Sequence, residues 1–538
     1  MSFKTVGVRL TNRVAHFDTV DDDLYASLRN FWSFMPPGYR FMPSYKAGGW
    51  DGHVSLLSRS RLPAGLFRAT RMDAAEALNI KFEVQRERDG LKFIDGIADT
   101  DVEDYRHQNQ CVRAMQAATV RGGGTILSAT GTGKTRIAAV YFSRVTGSCL
   151  FVVDQKNLLY QQRQELQDWL GEDVGIVGDS VFDPKRVTVA TVQTLHIHEN
   201  DGRFKKWYRR VDVMVVDELH EQMARRNFDV LNSIEPVAVF GLTATLQMKQ
   251  KPVRYKVWSF SGPVIFEFPL EKGIDRGVLS KVRVLQLSFN IEDDGGALAE
   301  NLGVFEYADE IQMQLIENEV KLDACRKITR LLLALGRYEI VLVDRRAHLK
   351  ALEDLFRGNT PYGVAKGGLD ESDRTKAIED FEAGITRLIL ATKVFKKGVN
   401  IKRVDVIMDL AELKSKNDAV QKLGRVLRLH AEKFGAFYID FGTHDPSCRY
   451  ECPQCNVIIE GRTLKEARDK YYNHFKMICL PRAGKMKKPI RKKNRFAKAA
   501  DSRRRALKAA GMEVTNIRVT TAEQALQAVK KFVGKKDV

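Results

Sequence analysis

The sequence predicts an α/β protein in which two tandem parallel-sheet domains follow a small α+β domain. From residue 101 to 285, continuous apolar runs alternate with helical patterns, and the alternation resumes between 286 and 447. Such runs suit strands that are buried on both faces of a parallel sheet, and their alternation with helices is typical of α/β domains. The runs are at residues 149–153, 187–190, 211–216, 339–343, 387–391 and 404–408.

The length and composition agree with a globular chain of several domains. A length of 538 residues predicts about three to four domains. The 44% hydrophobic and 29% charged residues exclude disordered and collagen-like chains. Seven cysteines do not make a disulfide framework in a chain this long, and no apolar run approaches the ~18–20 residues that span a bilayer. Because its start also lacks an apolar signal region, we expect a cytoplasmic protein without a membrane partner.

The chain is basic, and its positive charge is unevenly placed. It holds 87 Lys and Arg against 68 Asp and Glu, a formal net charge of +19. Residues 481–538 contain 18 of the basic and 4 of the acidic residues, so most of the surplus lies in a predicted basic tail. Such a surplus favours a polyanionic partner, nucleic acid first and an anionic membrane surface second, and binding to nucleic acid would be strongly salt-dependent. The alternative for the tail is a solvated extension without a specific partner.

A glycine-rich segment at residues 128–135 follows an apolar stretch and precedes a helical pattern. In this context backbone N–H groups turn toward a phosphate chain, and the helix N-terminus adds a favourable dipole. We expect Lys134 to reach the β- and γ-phosphates and the Thr135 hydroxyl to bind Mg²⁺. Ser128 stands where the pattern expects Gly, and a chance glycine turn is the alternative. The residues expected to contact the nucleotide are Thr130, Gly131, Thr132, Gly133, Lys134 and Thr135.

An acidic pair, Asp217 and Glu218, directly follows the apolar run at 211–216. An acid at the carboxyl end of a buried parallel strand points into the crevice where α/β sheets bind ligands. We expect Asp217 to hold Mg²⁺ through water and Glu218 to orient or deprotonate the attacking water. The alternative is an acidic pair that caps a helix. Loop and acidic pair together predict a nucleoside triphosphate hydrolase.

The loop and the later Asp-Glu-Leu-His box, which ends at His220, resemble the superfamily-2 helicases of the DExH type. The resemblance implies two RecA-like domains, with ATP and Mg²⁺ as cofactors and His220 as part of the catalytic box. Gln108 matches the glutamine that reads adenine in this family. Residues 241–245 resemble the motif that couples hydrolysis to domain motion.

Further family motifs follow in order along the chain. Residues 151–155 and the segment with Thr191 and Gln193 resemble segments that touch the nucleic-acid backbone. The segment from Thr392 to Gly398 resembles a motif that contacts both DNA and nucleotide, although its next residues include Asn400 in place of the Asp often found there.

The last motor motif contains Gln421, Arg425 and Arg428 and matches the family pattern Gln-x-x-Gly-Arg-x-x-Arg. The resemblance implies that both arginines enter the nucleotide cleft and stabilise transition-state charge. It also implies that ATP holds the two domains closed and that hydrolysis releases them. The alternative for the arginines is a solvated helix face.

The amino-terminal segment is rich in aromatic residues interspersed with Arg and Lys. This composition suits either a nucleic-acid surface or the core of a small domain. Its Tyr-Arg-Phe and Trp-Asp-Gly sequences, at 39–41 and 50–52, resemble the phage recombination helicases of the UvsW type. The resemblance implies action on branched or forked DNA, single- and double-stranded, by unwinding, annealing or branch migration. Arg40, Lys46 and Trp50 are the candidate DNA contacts.

Four residues near the carboxyl terminus have the chemistry of zinc ligands: Cys452, Cys455, His474 and Cys479. A Cys-x-x-Cys pair with a later His and Cys can supply four tetrahedral ligands. The 18 residues between the pairs exceed the common spacing of ~12–15, and His444 and Cys448 are near enough to substitute. Unligated cysteines are the alternative to a structural Zn²⁺.

The predicted enzyme is an ATP-dependent DNA helicase or translocase serving phage recombination, repair or replication. We expect a monomer that works with phage recombination or replication proteins in an infected bacterium. A DExH RNA helicase and a nucleotide-switched nucleic-acid clamp are the alternatives. The predicted boundaries are 1–100 for the amino-terminal DNA-binding domain, 101–285 and 286–447 for the RecA-like domains, 448–480 for the candidate zinc module, and 481–538 for the tail.

Overall fold

The computed structural model places the chain in two compact units, Met1–Val278 and Leu279–Val538. The boundary therefore lies a few residues before the predicted one at 285, because residues 282–290 form a strand of the second sheet. The structure describes residues 4–36, 38–86, 90–99, 106–223, 225–244, 250–290, 316–358, 360–366, 371–392, 401, 403–411, 436–444, 448–451, 454–455, 458–461, 470–479, 490–492 and 495–534.

The first unit begins with a small α+β domain. Its four-stranded sheet has the order β5-β2-β1-β6 and encloses an aromatic core that includes Phe17, Trp32 and Phe67. The aromatic residues therefore divide: those three are buried in the core, whereas Tyr39, Tyr45 and Trp50 lie outside it and Phe41 is 79% exposed. The elements are β1 (Lys4–Leu10), β2 (Val14–Phe17), α1 (Asp22–Phe31), β3 (Ser33–Phe34), a 3₁₀ turn (Tyr39–Phe41), α2 (Pro43–Lys46), β4 (Val54–Ser55), β5 (Arg61–Pro63), α3 (Ala64–Leu78) and β6 (Ile80–Arg86).

The rest of the first unit is an eight-stranded sheet of order β10-β9-β11-β8-β12-β13-β7-β14, parallel except for β10. Two of the predicted apolar runs are β11, which is fully buried, and β12, which is buried except at Asp212. The elements are α4 (Arg106–Thr119), β7 (Gly123–Ser128), α5 (Lys134–Ser143), β8 (Ser148–Val153), α6 (Lys156–Leu170), β9 (Gly175–Gly178), β10 (Val181–Asp183), β11 (Val187–Thr191), α7 (Val192–Ile197), α8 (Gly202–Tyr208), β12 (Val211–Val216), α9 (Leu219–Gln222), α10 (Arg225–Asn232), β13 (Ala238–Thr243), α11 (Lys251–Phe260), β14 (Val264–Phe268) and α12 (Leu270–Asp275).

The small domain packs tightly against this parallel-sheet domain through α3 and α11. At Gly65 a Cβ atom would lie only 2.2 Å from the carbonyl oxygen of Trp258, so the close approach of the two helices requires glycine. Tyr255 of α11 is buried within the aromatic core of the small domain. Arg13 also donates a 2.9 Å hydrogen bond to the carbonyl of Phe260. The two domains of the first unit therefore have a fixed relative position.

The second unit contains a seven-stranded, entirely parallel sheet of order β17-β18-β16-β19-β20-β15-β24. A three-stranded antiparallel sheet, β22-β21-β23, follows β20. The elements are β15 (Val282–Asn290), α13 (Glu319–Ala334), β16 (Glu339–Leu342), α14 (Arg346–Phe356), β17 (Gly363–Ala365), α15 (Glu371–Glu382), β18 (Leu388–Ala391), β19 (Val406–Asp409), β20 (Ala436–His444), β21 (Cys448–Glu451), β22 (Ile458–Gly461), a π-helical turn (Phe475–Cys479), β23 (Ile490–Lys492), α16 (Arg495–Ala509), β24 (Val514–Val519) and α17 (Ala522–Val533).

Residues 495–534, which the sequence assigns to a basic tail, belong to the fold of the second unit. Strand β24 pairs in parallel with β15, and α17 packs on α13. Arg503 of α16 and Asp440 of β20 form an ion pair at 2.9 Å in which each side chain is 1% exposed. The physical reason is the apolar stripe of α17, whose Ala525, Val529 and Val533 are buried in the core. Within the described ranges, no helix is both long and apolar enough to cross a membrane.

Candidate nucleotide site and nucleic-acid surface

The phosphate-binding loop connects β7 to α5 at the carboxyl edge of the first sheet. Ser128 ends β7, and its Oγ lies 2.6 Å from Thr132 Oγ1. Thr132 Oγ1 in turn donates to the carbonyl of Ala129 at 2.7 Å. The serine that departs from the expected glycine thus closes the loop by a buried hydrogen bond. Gly131 and Gly133 adopt φ angles of 88° and 82°, which favour glycine.

Two side chains of α4 contact one carbonyl of this loop. Gln108 Nε2 donates to the Thr132 carbonyl at 3.0 Å, and His107 Nε2 lies 2.9 Å from the same oxygen. Arg136 Nη1 donates to Gln108 Oε1 at 2.6 Å and so fixes the amide. A Cβ at Gly133 would lie 2.2 Å from Gln108 Nε2, which leaves room only for glycine. The structure therefore places Gln108 against the loop, together with His107, which no sequence motif indicated.

Lys134 contacts both acids of the Asp-Glu pair. Its Nζ lies 3.1 Å from Glu218 Oε1 and 4.0 Å from Asp217 Oδ1. Burial raises the pKa of Asp217 to about 6, the positive charge of Lys134 lowers it, and the negative charge of Glu218 adds to the rise. The Asp217 carboxyl thus lies beside a cationic side chain in a buried site, where a bound cation would favour its charged form.

Glu218 has an unusual backbone conformation. Its φ of 44° and ψ of 52° lie in the left-handed region, which is uncommon for a residue with a long side chain. Such strained positions cluster at functional sites because the surrounding structure holds them. The sharp turn between β12 and α9 brings His220 Nδ1 to 2.8 Å from Thr243 Oγ1 at the end of β13. The Asp-Glu-Leu-His box therefore contacts the segment expected to couple hydrolysis to motion.

Thr135 makes a contact that the sequence did not reveal. Its Oγ1 donates a 2.6 Å hydrogen bond to Oε1 of Gln162, a residue of α6 that is 6% exposed. Thr135 and Asp217 offer oxygen donors, the type that Mg²⁺ prefers. The hydroxyl hydrogen of Thr135 points to Gln162, which leaves its lone pairs for a cation. The residues present therefore fit the predicted Mg²⁺.

The two segments expected to touch nucleic acid lie side by side at the same sheet edge. Strands β8 and β11 are neighbours, with Val153 opposite Thr191. Gln193 Nε2 donates to the Asp154 carbonyl at 2.6 Å, so it joins the two segments. Thr191 is buried and its hydroxyl bonds to Thr194, whereas Gln193 is exposed.

The other predicted DNA contacts lie in different parts of the fold. Arg40 and Lys46 are exposed, and the Arg40 guanidinium lies over the Tyr39 ring, 5.6 Å from its centroid. Trp50 donates its Nε1–H to the His53 carbonyl at 2.7 Å. Thr392, at the end of β18 in the second unit, is 7% exposed. The predicted residues Gly398, Gln421, Arg425, Arg428 and Cys452 lie outside the described residues.

Two of the four predicted zinc ligands are in contact. Cys455 Sγ lies 3.2 Å from His474 Nε2, although 18 residues separate them in the chain. Cys479 closes the π-helical turn that begins at Phe475. No cluster of three or more metal-ligating side chains occurs within the described parts of the chain, so the zinc module is not confirmed.

Three family matches follow one another along the chain. Residues 13–84 match the family described as DNA helicase UvsW, N-terminal. Residues 101–248 match the family described as Type III restriction enzyme, res subunit. Residues 321–430 match the family described as Helicase conserved C-terminal domain. These matches fall on the three domains expected from the sequence.

Individual proteins and a solved structure are also similar to this chain over much of its length. The ATP-dependent DNA helicase uvsW of Enterobacteria phage T4 is 23% identical over 459 residues, 77% of this chain and 86% of that protein. The DNA 3'-5' translocase XPB2 of Sulfurisphaera tokodaii is 24% identical over 348 residues, 59% of this chain and 77% of that protein. A crystal structure of T4 UvsW aligns with 96% of this chain and 99% of its own, at 18% identity and a TM-score of 0.40.

The helicase domain matches agree with the nucleotide site described above. The loop lysine, the acidic pair and the histidine that contacts Thr243 occur in one site of the first unit. The family prediction from the sequence is confirmed: the chain belongs to the superfamily-2 helicases, which are ATP-dependent enzymes.

Proposed function

We propose that this helicase uses ATP hydrolysis to move along DNA and to remodel branched DNA by unwinding, annealing or branch migration. The amino-terminal match to the UvsW family and two relatives that are named for DNA support the substrate. The observation that carries the motor activity is the joint contact of Lys134 with Asp217 and Glu218. Phage recombination, repair or replication is the setting, with proteins of those processes as partners of a monomeric enzyme.

In the proposed mechanism Lys134 binds the β- and γ-phosphates, and Thr135 and Asp217 would hold Mg²⁺. When bound, Mg²⁺ neutralises charge on the phosphates. Glu218, next to Lys134, orients the attacking water and accepts its proton. The 2.8 Å contact of His220 with Thr243 then transmits the change in the site to β13.

Residues of the second unit complete the proposed machinery by resemblance to the family. Arg425 and Arg428 stabilise charge on the transferred phosphate, and Gln421 and Gly398 contact the nucleotide. The exposed Gln193 and the segment around it are proposed to contact the DNA backbone. Thr191 is buried and supports that segment through its hydrogen bond to Thr194. In the second unit Thr392 belongs to the equivalent DNA-contacting motif.

The amino-terminal domain supplies further proposed DNA contacts. Arg40 and Lys46 are exposed cations, and Trp50 follows Lys46 by four residues in the sequence. Phe41, at 79% exposure, is an aromatic surface on which a base could stack. Phe41 is the last residue of the Tyr-Arg-Phe motif. Its exposure suggests the stacking role, which the motif alone did not indicate.

Steady-state ATP hydrolysis tests the proposal. The enzyme is assayed alone and with single-stranded DNA, duplex DNA, a branched junction and single-stranded RNA. We expect the largest stimulation with branched DNA. Strongest stimulation by RNA would keep the motor but replace the substrate with that of a DExH RNA helicase.

A nucleotide-switched clamp is the second alternative. Unwinding assays on the unsubstituted enzyme and on Glu218→Gln distinguish it from a motor. We expect this variant to bind ATP and lose hydrolysis and unwinding together. A clamp would hold DNA in an ATP-dependent manner without unwinding it even in the unsubstituted enzyme. Unchanged hydrolysis in Glu218→Gln would refute the role given to Glu218.

We also propose that Cys452, Cys455, His474 and Cys479 bind a structural Zn²⁺. The contact between Cys455 and His474 supports the pairing of the two halves of this motif. Metal analysis of the purified chain should find one zinc per molecule, and Cys455→Ser should lower that amount. Equal zinc content in Cys455→Ser and the unsubstituted protein would refute the site.

A further inference from the structure

A cavity lined by four arginines opens between the small domain and the first parallel-sheet domain. It has a volume of about 330 Å³. We call it the arginine groove and define it by Arg68 and Arg71 of α3, Arg86 at the end of β6, and Arg121, which follows α4. A neighbouring cavity of about 390 Å³ shares Arg68 and Arg121, so the groove extends across the junction of the two domains.

Three of the four arginines of the groove have no acidic partner in the described part of the chain. These are Arg71, Arg86 and Arg121. Arg68 differs, because its Nη2 donates to the carbonyls of Thr11 and Asn12 and is therefore anchored. Because guanidinium groups are planar and always charged, they bind phosphate oxygens through paired N–H donors. Three such groups around one cavity have the chemistry of a polyphosphate or nucleic-acid backbone site.

The shape of the groove also suits an extended ligand. Small side chains line its second cavity, where Ala114 and Ala117 of α4 leave room for a phosphate backbone. Arg68 and Arg71 are three residues apart on α3, so both project from one face of the helix. The close packing of α3 on α11 at Gly65 holds that face in position against the second domain.

The groove lies at the edge of the sheet where the parallel strand β7 begins, and the nucleotide site lies at the opposite edge, where β7 ends. Gly123 begins β7 and borders the groove, whereas Ser128 ends β7 at the phosphate-binding loop. A strand of this length spans roughly 20 Å, so the two sites are about that far apart. The segments expected to contact the tracked strand, after β8 and β11, lie at the loop edge. A phosphate backbone in the groove therefore contacts the protein at the edge of the sheet that is remote from those segments.

We propose that the arginine groove binds the phosphate backbone of a duplex arm of the DNA while the motor acts on another strand. This inference rests on the proposed function, because it takes DNA as the substrate, and it explains how one chain could hold two arms of a junction.

Removal of two groove arginines tests the proposal. The variant Arg71→Ala/Arg121→Ala leaves the anchored Arg68 in place. We expect its Kd for a forked DNA with duplex arms to rise roughly tenfold or more at low salt. The slope of log affinity against log salt should fall in magnitude by about 2, since each duplex phosphate contact contributes about 0.9. ATP hydrolysis stimulated by short single-stranded DNA should not change, because the substitutions do not alter the nucleotide site or the segments beside it.

The matched control is Arg209→Ala/Arg210→Ala, which removes the same charge from exposed residues outside the groove. We expect this control to keep the salt slope of the unsubstituted enzyme. An unchanged slope in the groove variant, or an equal fall in the control, would overturn the proposal. Inorganic tripolyphosphate is the probe for a small-anion site, and tight binding that depends on Arg71 and Arg121 would also overturn it.

The experiment separates this inference from the proposed function. If no DNA stimulates hydrolysis by the unsubstituted enzyme, the proposed function fails. If DNA stimulates hydrolysis and the enzyme binds forks, but the groove variant binds them equally well, only the groove proposal fails.

Discussion

Thr135 Oγ1 lies 2.6 Å from Gln162 Oε1, and this hydrogen bond joins the phosphate-binding loop to α6, the helix that follows the first segment proposed to contact nucleic acid. Helix α6 starts at Lys156, two residues after Asp154, whose carbonyl accepts a hydrogen bond from Gln193 Nε2. A change at the Thr135 hydroxyl therefore has a short covalent and hydrogen-bonded route to the two segments that we propose contact nucleic acid. This relationship gives Gln162 a positioning role that can be measured.

The variant Gln162→Leu should weaken the use of Mg²⁺. Loss of the acceptor frees the Thr135 hydroxyl to rotate, and a single hydrogen bond of about 0.5–1.5 kcal/mol corresponds to a roughly two- to tenfold rise in the Mg²⁺ concentration at half-maximal hydrolysis. Nucleotide binding in the presence of EDTA should remain normal. Gln161→Leu, which alters a neighbouring glutamine bonded to Glu165, is the control. A normal Mg²⁺ titration in folded Gln162→Leu would contradict the role.

The variant Thr243→Val should separate hydrolysis from its stimulation by DNA. It removes the hydroxyl that contacts His220 but keeps the size of the side chain. We expect nearly normal basal hydrolysis and a loss of most of the stimulation by DNA, both measured by steady-state assays. The control is Thr119→Val, because Thr119 is a buried threonine bonded to Tyr141 away from the site. Full stimulation of Thr243→Val would show that the contact does not transmit the signal.

Arg503→Ala should strongly destabilise the second unit. The substitution leaves Asp440, which is 1% exposed, as a buried charge without its ion-pair partner. Breaking a buried pair in this way typically costs about 3–5 kcal/mol. Denaturant unfolding should detect the loss, and Arg505→Ala, on the exposed side of α16, should unfold like the unsubstituted protein. Truncation after residue 494 should likewise prevent folding of this unit, because β24 and α17 are removed. Normal stability of either variant would refute this account of the carboxyl-terminal segment.

Glu339→Gln should stabilise the protein increasingly as the pH rises from 5 to 8. Burial raises the pKa of Glu339 from 4.5 to about 8, while a hydrogen bond from Thr329 lowers it. Folding therefore takes up a proton between these values, so the unsubstituted protein loses stability as the pH rises through this window. The loss is at most about 1.4 kcal/mol per pH unit and is absent in the glutamine variant. Thermal unfolding at pH 5 and pH 8 measures the difference, and an equal effect of the substitution at both values would contradict it.

The parallel sheets and the main residues of the nucleotide site could be predicted from the sequence. Strands of a parallel sheet are buried on both faces, so their apolar runs are continuous and easily recognised. The loop and the acidic pair follow such strands directly, and this order alone indicates that Lys134 and Asp217 share one sheet edge. Gln162 could not be found in this way, because a glutamine within a helix carries no local signal of what it contacts.

The carboxyl-terminal segment shows the limit of composition as evidence. Its 18 basic residues indicated a tail, but Val514 pairs with Val284, 230 residues earlier in the chain. The apolar residues Ala525, Val529 and Val533 recur at helical spacing, but this spacing does not indicate which part of the chain the helix contacts. Long-range pairing depends on the complete sheet, which no local pattern contains.

The sequence by itself determined the class of the protein, the order of its domains and the identity of its phosphate-binding and acidic residues. Those features depend on short segments whose residue types are fixed by backbone geometry and by the chemistry of phosphate and Mg²⁺. Only the tertiary structure decided that Arg71, Arg86 and Arg121 share one groove and that Arg503 is buried against Asp440. These residues come from separate elements, and packing of the apolar cores alone brings their charges together.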